Sequence, residues 1–253
     1  MAISSTTLVF NTIETLAKWV KDTCIKKQGK LVIPAFSVGR TQEVLYALNQ
    51  LSLENRLPDL NYFVDSPMSI KATEVIKSFP EEFNERLQSV LKIDDDPFHF
   101  KGLKYVETVE DSRQLASYKE PCVIISASGT ADAGRVRHHI FSTVSEEQNT
   151  VLLVGYCEVY SLGGQLLVGA KEVELFGDPV TVVAEIGQIK SMSAHGDFDD
   201  LTKFVSCQDA EQVKKVFLVH GEYDAQQQLA ARLGRKGFNS VEVPAMHTEF
   251  ELI

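Results

Sequence analysis

The histidines carry the first candidate chemistry. Ser193-Ala194-His195-Gly196-Asp197 precedes the apolar run Val216-Phe217-Leu218-Val219, which ends in His220-Gly221-Glu222. Neutral imidazole is the commonest metal ligand and a proton carrier near pH 7, so each histidine is a candidate for either role. A lone histidine beside a glycine at a strand end is more often a satisfied structural residue, and that reading stays open for both. Three other positions could meet an anion. Arg40 follows a strand and a run of small residues, and it could clamp a phosphate or pair with a carboxylate. Ser128 and Gly129 lie in a run of small residues, Ser126 to Gly134, where backbone amides can approach an oxyanion.

The elements that position these residues follow from the apolar pattern. Val216 to Val219 is short and unbroken, and it reads as a buried parallel strand with His220 at its carboxyl end. Open α/β sheets bind ligands at that rim, because loops converge there and helix N-termini present their amides. After His195, Asp197, Asp199 and Asp200 suit the first turn of a helix running through Phe204 and Val205. Earlier in the chain, Ile13, Leu16, Ala17, Val20 and Cys24 mark one face of a helix that Gly29 would stop. Leu31 to Phe36, Tyr62 to Val64, Lys104 to Val109, Cys122 to Ile125 and Val151 to Val154 read as strands. Most are followed by small or polar residues and then a helix, the alternation of a parallel α/β sheet. Between Val173 and Ala184 the period changes to two across Gly177-Asp178-Pro179, the pattern of a hairpin. A helix around Leu229 to Leu233 and a strand around Val241 to Val243 close the chain.

Several alternatives fall on chemical grounds. Asp94-Asp95-Asp96 lacks the glycine and distal glutamate of a calcium loop and reads as a solvated turn. Gly129 and Gly134 have the spacing of a P-loop, but Arg135-Val136 replace its Lys and Ser/Thr, so an NTPase is rejected. A dinucleotide enzyme is the weakest candidate, since no G-x-G-x-x-G follows a strand. His138 and His139 point about a third of a turn apart on a helix, cannot readily chelate one ion together, and read as helix-surface residues. The formal net charge of −10 gives no overall basic field for nucleic acid or membrane, so RNA would need a local groove. Four widely spaced cysteines indicate neither a disulfide framework nor a zinc knuckle, and a cytoplasmic home is expected.

Taken in order, Ile33 to Glu43, Val64-Asp65-Ser66-Pro67-Met68, Ser126 to Arg135, Gly155-Tyr156 with Leu162-Gly163, the His195 segment and Val219 to Glu222 resemble the β-CASP branch of the metallo-β-lactamase fold, the RNA-processing nucleases. The resemblance implies an α/β fold: a mostly parallel β-CASP sheet with flanking helices over residues 1–192, then the strand-helix return of the catalytic domain over 193–253. It also implies a zinc-dependent phosphodiester hydrolase acting on RNA. On this reading His195 helps protonate the leaving oxygen, His220 is a metal ligand, and Asp197 orients its neighbours. Arg40, Ser128 and Gly129 then line an RNA cleft between the two domains. The family's His-x-His-x-Asp-His motif has no counterpart here, and Met1 to Phe10 do not resemble its acidic motif A. The expectation is therefore the C-terminal part of such an enzyme, inactive alone, not expected to hold zinc fully, and needing the N-terminal metallo-β-lactamase half as a partner. Self-association is left open and no membrane is involved. The alternative is a non-catalytic RNA-binding or scaffolding subunit.

Overall fold

The computed structural model describes the backbone of residues 5–193 and 195–251, and the side chains from residue 12 onward within those ranges. Ala194 and the first four residues of the Met1–Phe10 stretch lie outside the described residues. Two compact units result, Met1–Ser193 and Ala194–Ile253.

The first unit is built on six parallel strands: β1 (Lys30–Pro34), β2 (Asn61–Asp65), β3 (Leu103–Tyr105), β4 (Cys122–Ser126), β5 (Thr150–Leu153) and β8 (Glu185–Gln188). Their spatial order is β3-β2-β4-β1-β5-β8. A two-stranded antiparallel hairpin, β6 (Glu172–Leu175) and β7 (Asp178–Thr181), stands apart from that sheet. Helices α1 (Ser5–Val20), α2 (Arg40–Leu53), α3 (Pro67–Lys77), α4 (Glu85–Val90), α5 (Val109–Ala116), α6 (Val136–Thr143) and α7 (Leu162–Leu167) occur in the same unit. A π-helical stretch, Lys21–Lys26, extends α1.

Alternate strand residues build the two faces, as they must in a pleated strand covered on both sides. Leu31, Ile33, Val123, Ile125, Leu152 and Val154 pack with Leu16 and Val20 of α1 and with Leu45 and Leu48 of α2. Their neighbours Val32, Val151 and Leu153 point the other way, onto Val136 and Ile140 of α6, Leu162 and Leu166 of α7, and the hairpin. Phe63 and Ile124 meet Leu115 of α5 in a smaller cluster. The parallel β-CASP-type α/β architecture is thus present.

Several boundaries differ from the sequence reading. The strand expected over 104–109 ends at Tyr105, because Thr108 caps α5 by accepting from the Asp111 amide at 3.1 Å. The hairpin turns on Phe176-Gly177, both at positive φ (58° and 90°), rather than on Gly177-Asp178-Pro179. After it the chain adds β8 to the edge of the parallel sheet. Gly29 serves a close approach: a Cβ there would lie 1.8 Å from the Gln148 carbonyl oxygen. The acidic Asp94–Asp96 turn is partly paired, with Asp94 accepting from Asn49 Nδ2 and Asp96 bridging to Lys77, each at 2.5 Å.

The second unit holds α8 (Phe198–Val205), β9 (Val216–Phe217), α9 (Tyr223–Arg235) and β10 (Val241–Glu242), with β9 and β10 parallel. Leu229, Leu233 and Phe238 form its small buried core. The buried four-residue strand expected over 216–219 is shorter and only half-buried, and Val219 is exposed. Among the described residues its one strand partner is β10, so little apolar surface covers it.

Candidate functional site

At the carboxyl rim of the parallel sheet, the turn after β1 and the loop after β4 meet across Phe36. The Thr41 amide donates to the Phe36 carbonyl at 3.1 Å, which closes the turn into α2. Gly129 faces the same phenyl ring so closely that a Cβ would come within 2.7 Å of it. No larger residue fits there without moving Phe36, which explains the glycine on packing grounds. Arg40, the first residue of α2, donates to the Glu43 carboxylate one turn on. Burial lowers its guanidinium from the ordinary value, but arginine stays cationic in proteins.

The loop from Ala127 to Arg135 closes on itself. The Ser128 amide donates to the Ala133 carbonyl at 2.9 Å and the Val136 amide to the Ala127 carbonyl at 3.3 Å. Gly134, at φ 80°, would place a Cβ 2.4 Å from the Ala127 carbonyl oxygen. The Ser128 hydroxyl is buried and has no hydrogen-bond partner among the described residues. The glycine pair after β5 docks beneath: Gly163 N–H donates to the Thr130 carbonyl at 2.8 Å, and Leu162 N–H to Asp132 Oδ1 at 2.7 Å.

A cluster that the sequence reading missed holds this loop against β2. Asp65, fully buried at the end of β2, accepts from Arg135 Nη1 at 2.7 Å, His139 Nε2 at 2.6 Å and Ser112 Oγ at 2.5 Å. Burial raises the Asp65 carboxyl, but the bonds from His139, Ser112 and Arg135 outweigh it and hold it below the usual carboxylate value. Arg135 also donates to the carbonyls of Val106 and Glu107. The helix-surface reading of His139 is therefore corrected. His139 lies on the face of α6 shared by Val136, Ile140 and Thr143 and is buried, because Asp65 supplies an acceptor that makes the imidazole tolerable inside. That spacing was the available signal. His138 is exposed as expected, and its ring stacks on Phe176.

The two histidines that opened the analysis belong to the second unit, one before each of its helices. His195 lies in the turn before α8, and His220 follows β9 at φ 69°, with Gly221 at φ 83°. The His220 carbonyl accepts from Gln226 Nε2 at 2.8 Å, which ties the turn to α9. Asp197 caps α8, its Oδ1 accepting from the Asp199 and Asp200 amides at 2.8 and 2.9 Å, while Asp200 Oδ2 accepts from the Asp197 amide. Asp199 in turn pairs with Arg232 of α9 at 2.5 Å. Among the described residues no group of three or more His, Cys, Asp or Glu side chains is placed to hold a metal ion. One imidazole does not make a zinc site, which takes three or four protein ligands. The donor set of the described residues does not by itself fit zinc. All four cysteines are free, and burial pushes the Cys24 and Cys122 thiols up to about 12.

Comparison with known proteins agrees with this architecture. Residues 41–166 match the Beta-Casp domain, and residues 179–244 match the Zn-dependent metallo-hydrolase RNA specificity domain. The chain belongs to the β-CASP family of RNA-processing metallo-hydrolases. It is similar to ribonuclease TTHA0252 of Thermus thermophilus, with 30% identity over 213 residues, covering 84% of this chain and 48% of the relative. An RNase J-like protein of Methanocaldococcus jannaschii is 29% identical over 198 residues, covering 78% and 44%. The transcription termination factor FttA of Methanosarcina mazei is 28% identical over 223 residues, covering 86% and 34%. The chain spans less than half the length of each of these relatives. No helix among the described residues is long and apolar enough to cross a membrane.

Proposed function

We propose that this chain is the RNA-binding and partial catalytic portion of a zinc-dependent phosphodiester hydrolase acting on single-stranded RNA, with most metal ligands supplied from outside it. The observation that carries the reading is the match of 179–244 to an RNA specificity domain, directly after a Beta-Casp match. On this reading Arg40 and the loop at Ser128 and Gly129 bind backbone phosphates. Arg40 brings a cation fixed at the start of α2. The Asp65–Arg135–His139 cluster keeps that loop in place. His195 donates a proton to the leaving oxygen, and Asp197 positions it by fixing the start of α8. His220 contributes one imidazole to the metal. Zinc, when bound, supplies charge neutralisation at the scissile phosphate and an activated water. No step through it follows from this chain alone.

The test is incubation of the purified chain with end-labelled single-stranded RNA and zinc. Binding without cleavage is the expected result. Metal-dependent cleavage abolished by His220→Ala would show that the chain holds a complete site, against the proposal. A chain that fails to bind RNA would refute the RNA reading itself. The alternative of a non-catalytic RNA-binding or scaffolding subunit separates from it when the N-terminal half of a relative is added: restored cleavage that needs His195 supports the hydrolase.

A further inference from the structure

Just past the Ala127–Arg135 loop, in the first turn of α6, stands a group that the proposed function does not use. The exposed His138 ring stacks on Phe176, with centroids 4.4 Å apart and planes 18° from parallel. The Arg137 guanidinium lies over the same Phe176 ring at 4.6 Å, and Phe141 meets it edge-on at 5.8 Å. Phe176 and Phe141 are both about half exposed, at 45% and 41%. Arg137 makes no ion pair among the described residues, in a chain whose formal net charge is −10. Arg135, by contrast, is committed to Asp65.

Phe176 reaches this position from the tip of the β6–β7 hairpin at φ 58°. A two-residue hairpin turn with both φ positive favours Asn or Gly at its first position, and a bulky aromatic there is disfavoured. The fold thus tolerates an unfavourable backbone that holds an aromatic ring half in solvent against an exposed imidazole and a guanidinium with no ion pair among the described residues. Rings with exposed surface take the flat faces of unstacked bases, and guanidinium groups take phosphate.

We propose that Arg137, His138 and Phe176 form a nucleotide step for single-stranded RNA, with a base stacking on the His138–Phe176 pair and a backbone phosphate on Arg137. The step sits in the first turn of α6, which follows the Ala127–Arg135 loop in the chain, and it would carry a strand bound at that loop onward, so it rests on the RNA reading above. It accepts any base, because stacking uses the π face that all bases share.

The experiment measures fluorescence anisotropy of a labelled oligouridylate, and of the same ribose-phosphate strand without bases, binding to the full chain. His138→Ala weakens oligouridylate binding by roughly tenfold and leaves binding of the baseless strand unchanged. His138→Phe restores binding. Arg137→Gln weakens both strands and makes affinity less dependent on salt. The stacking step is overturned alone if Arg40→Gln weakens binding while His138→Ala does not, which would leave the cluster as a hairpin-pinning or protein-docking contact. Equal loss on both strands in His138→Ala also overturns it, since a merely structural role acts without regard to bases. Failure of the unaltered chain to bind either strand overturns the step and the RNA reading together.

Discussion

Replacing Asp65 by Asn tests the cluster that fixes the candidate phosphate loop. The carboxylate accepts from three side chains at 2.5 to 2.7 Å and is fully buried, while the Arg135 side chain keeps 20% exposure. Asn retains the shape but offers one acceptor oxygen and an NH2 group that cannot accept, so at least one of the three donors loses its partner. Hydrogen bonds to charged groups contribute about 1.5–3 kcal/mol each, and removing one member of a buried ion pair costs about 3–5 kcal/mol. Arg135 still reaches the carbonyls of Val106 and Glu107 and some solvent, which places the loss near the lower end, about 3 kcal/mol. The assay is urea unfolding followed by the fluorescence of Trp19, the single tryptophan, whose ring lies against Gly187 inside the first unit. With a slope near 3 kcal/mol per molar, expected for a unit of this size, the midpoint falls by about 1 M. Adding Arg135→Met recovers part of the loss, because it removes the guanidinium that Asp65→Asn leaves without its counter-ion. A midpoint unchanged by Asp65→Asn would refute the claim that this cluster supports the loop.

Other perturbations give equally definite outcomes. Because the Asp65 carboxyl is held below its ordinary value of 3.8, its contribution is complete above that pH and is lost as pH falls below it; Asp65→Asn should flatten the acid limb of a stability-versus-pH curve measured by thermal melts. Gly129→Ala forces Phe36 aside and should cost about 1–3 kcal/mol, with weaker RNA binding, in parallel urea and anisotropy titrations. Leu48→Ala, in the fully buried face of α2, should cost about 2–5 kcal/mol in the same urea assay. His220→Ala, at an exposed turn, should change stability by less than about 0.5 kcal/mol in calorimetry; a larger loss would make His220 a structural residue.

The parallel sheet was legible because its central strands are short runs of buried, mostly β-branched and leucine side chains, most of them followed by a helix with its own period. Leu31 to Pro34, Tyr62 to Asp65 and Cys122 to Ser126 are covered on both faces and leave that mark. β8 was missed because Glu185 to Gln188 sits at the sheet edge, where a glycine and two polar residues suffice. The hairpin turn shifted by one residue because Phe176 occupies a left-handed position that glycine or asparagine would normally advertise. Of the candidate site, the strand-end loops with Arg40, Ser128 and Gly129 could be read from small residues between strand and helix. Asp65, Arg135 and His139 could not be joined: their sequence separations of 70 and 74 residues are closed only by the pairing of β2 with β4 and the packing of α6. The strand at 216–219 looked buried because its composition is apolar, but burial depends on what covers it, and composition does not say.

The central claim is that this chain binds RNA through its phosphates. The direct measurement is the dissociation constant of the full chain for a single-stranded oligonucleotide across a salt series, with Arg40→Gln in parallel. The account predicts affinity that falls steeply with salt, and a slope shallower by about 0.7 in Arg40→Gln, as loss of one phosphate contact on a single strand requires. A weak affinity with no salt dependence, the same in both proteins, would contradict it.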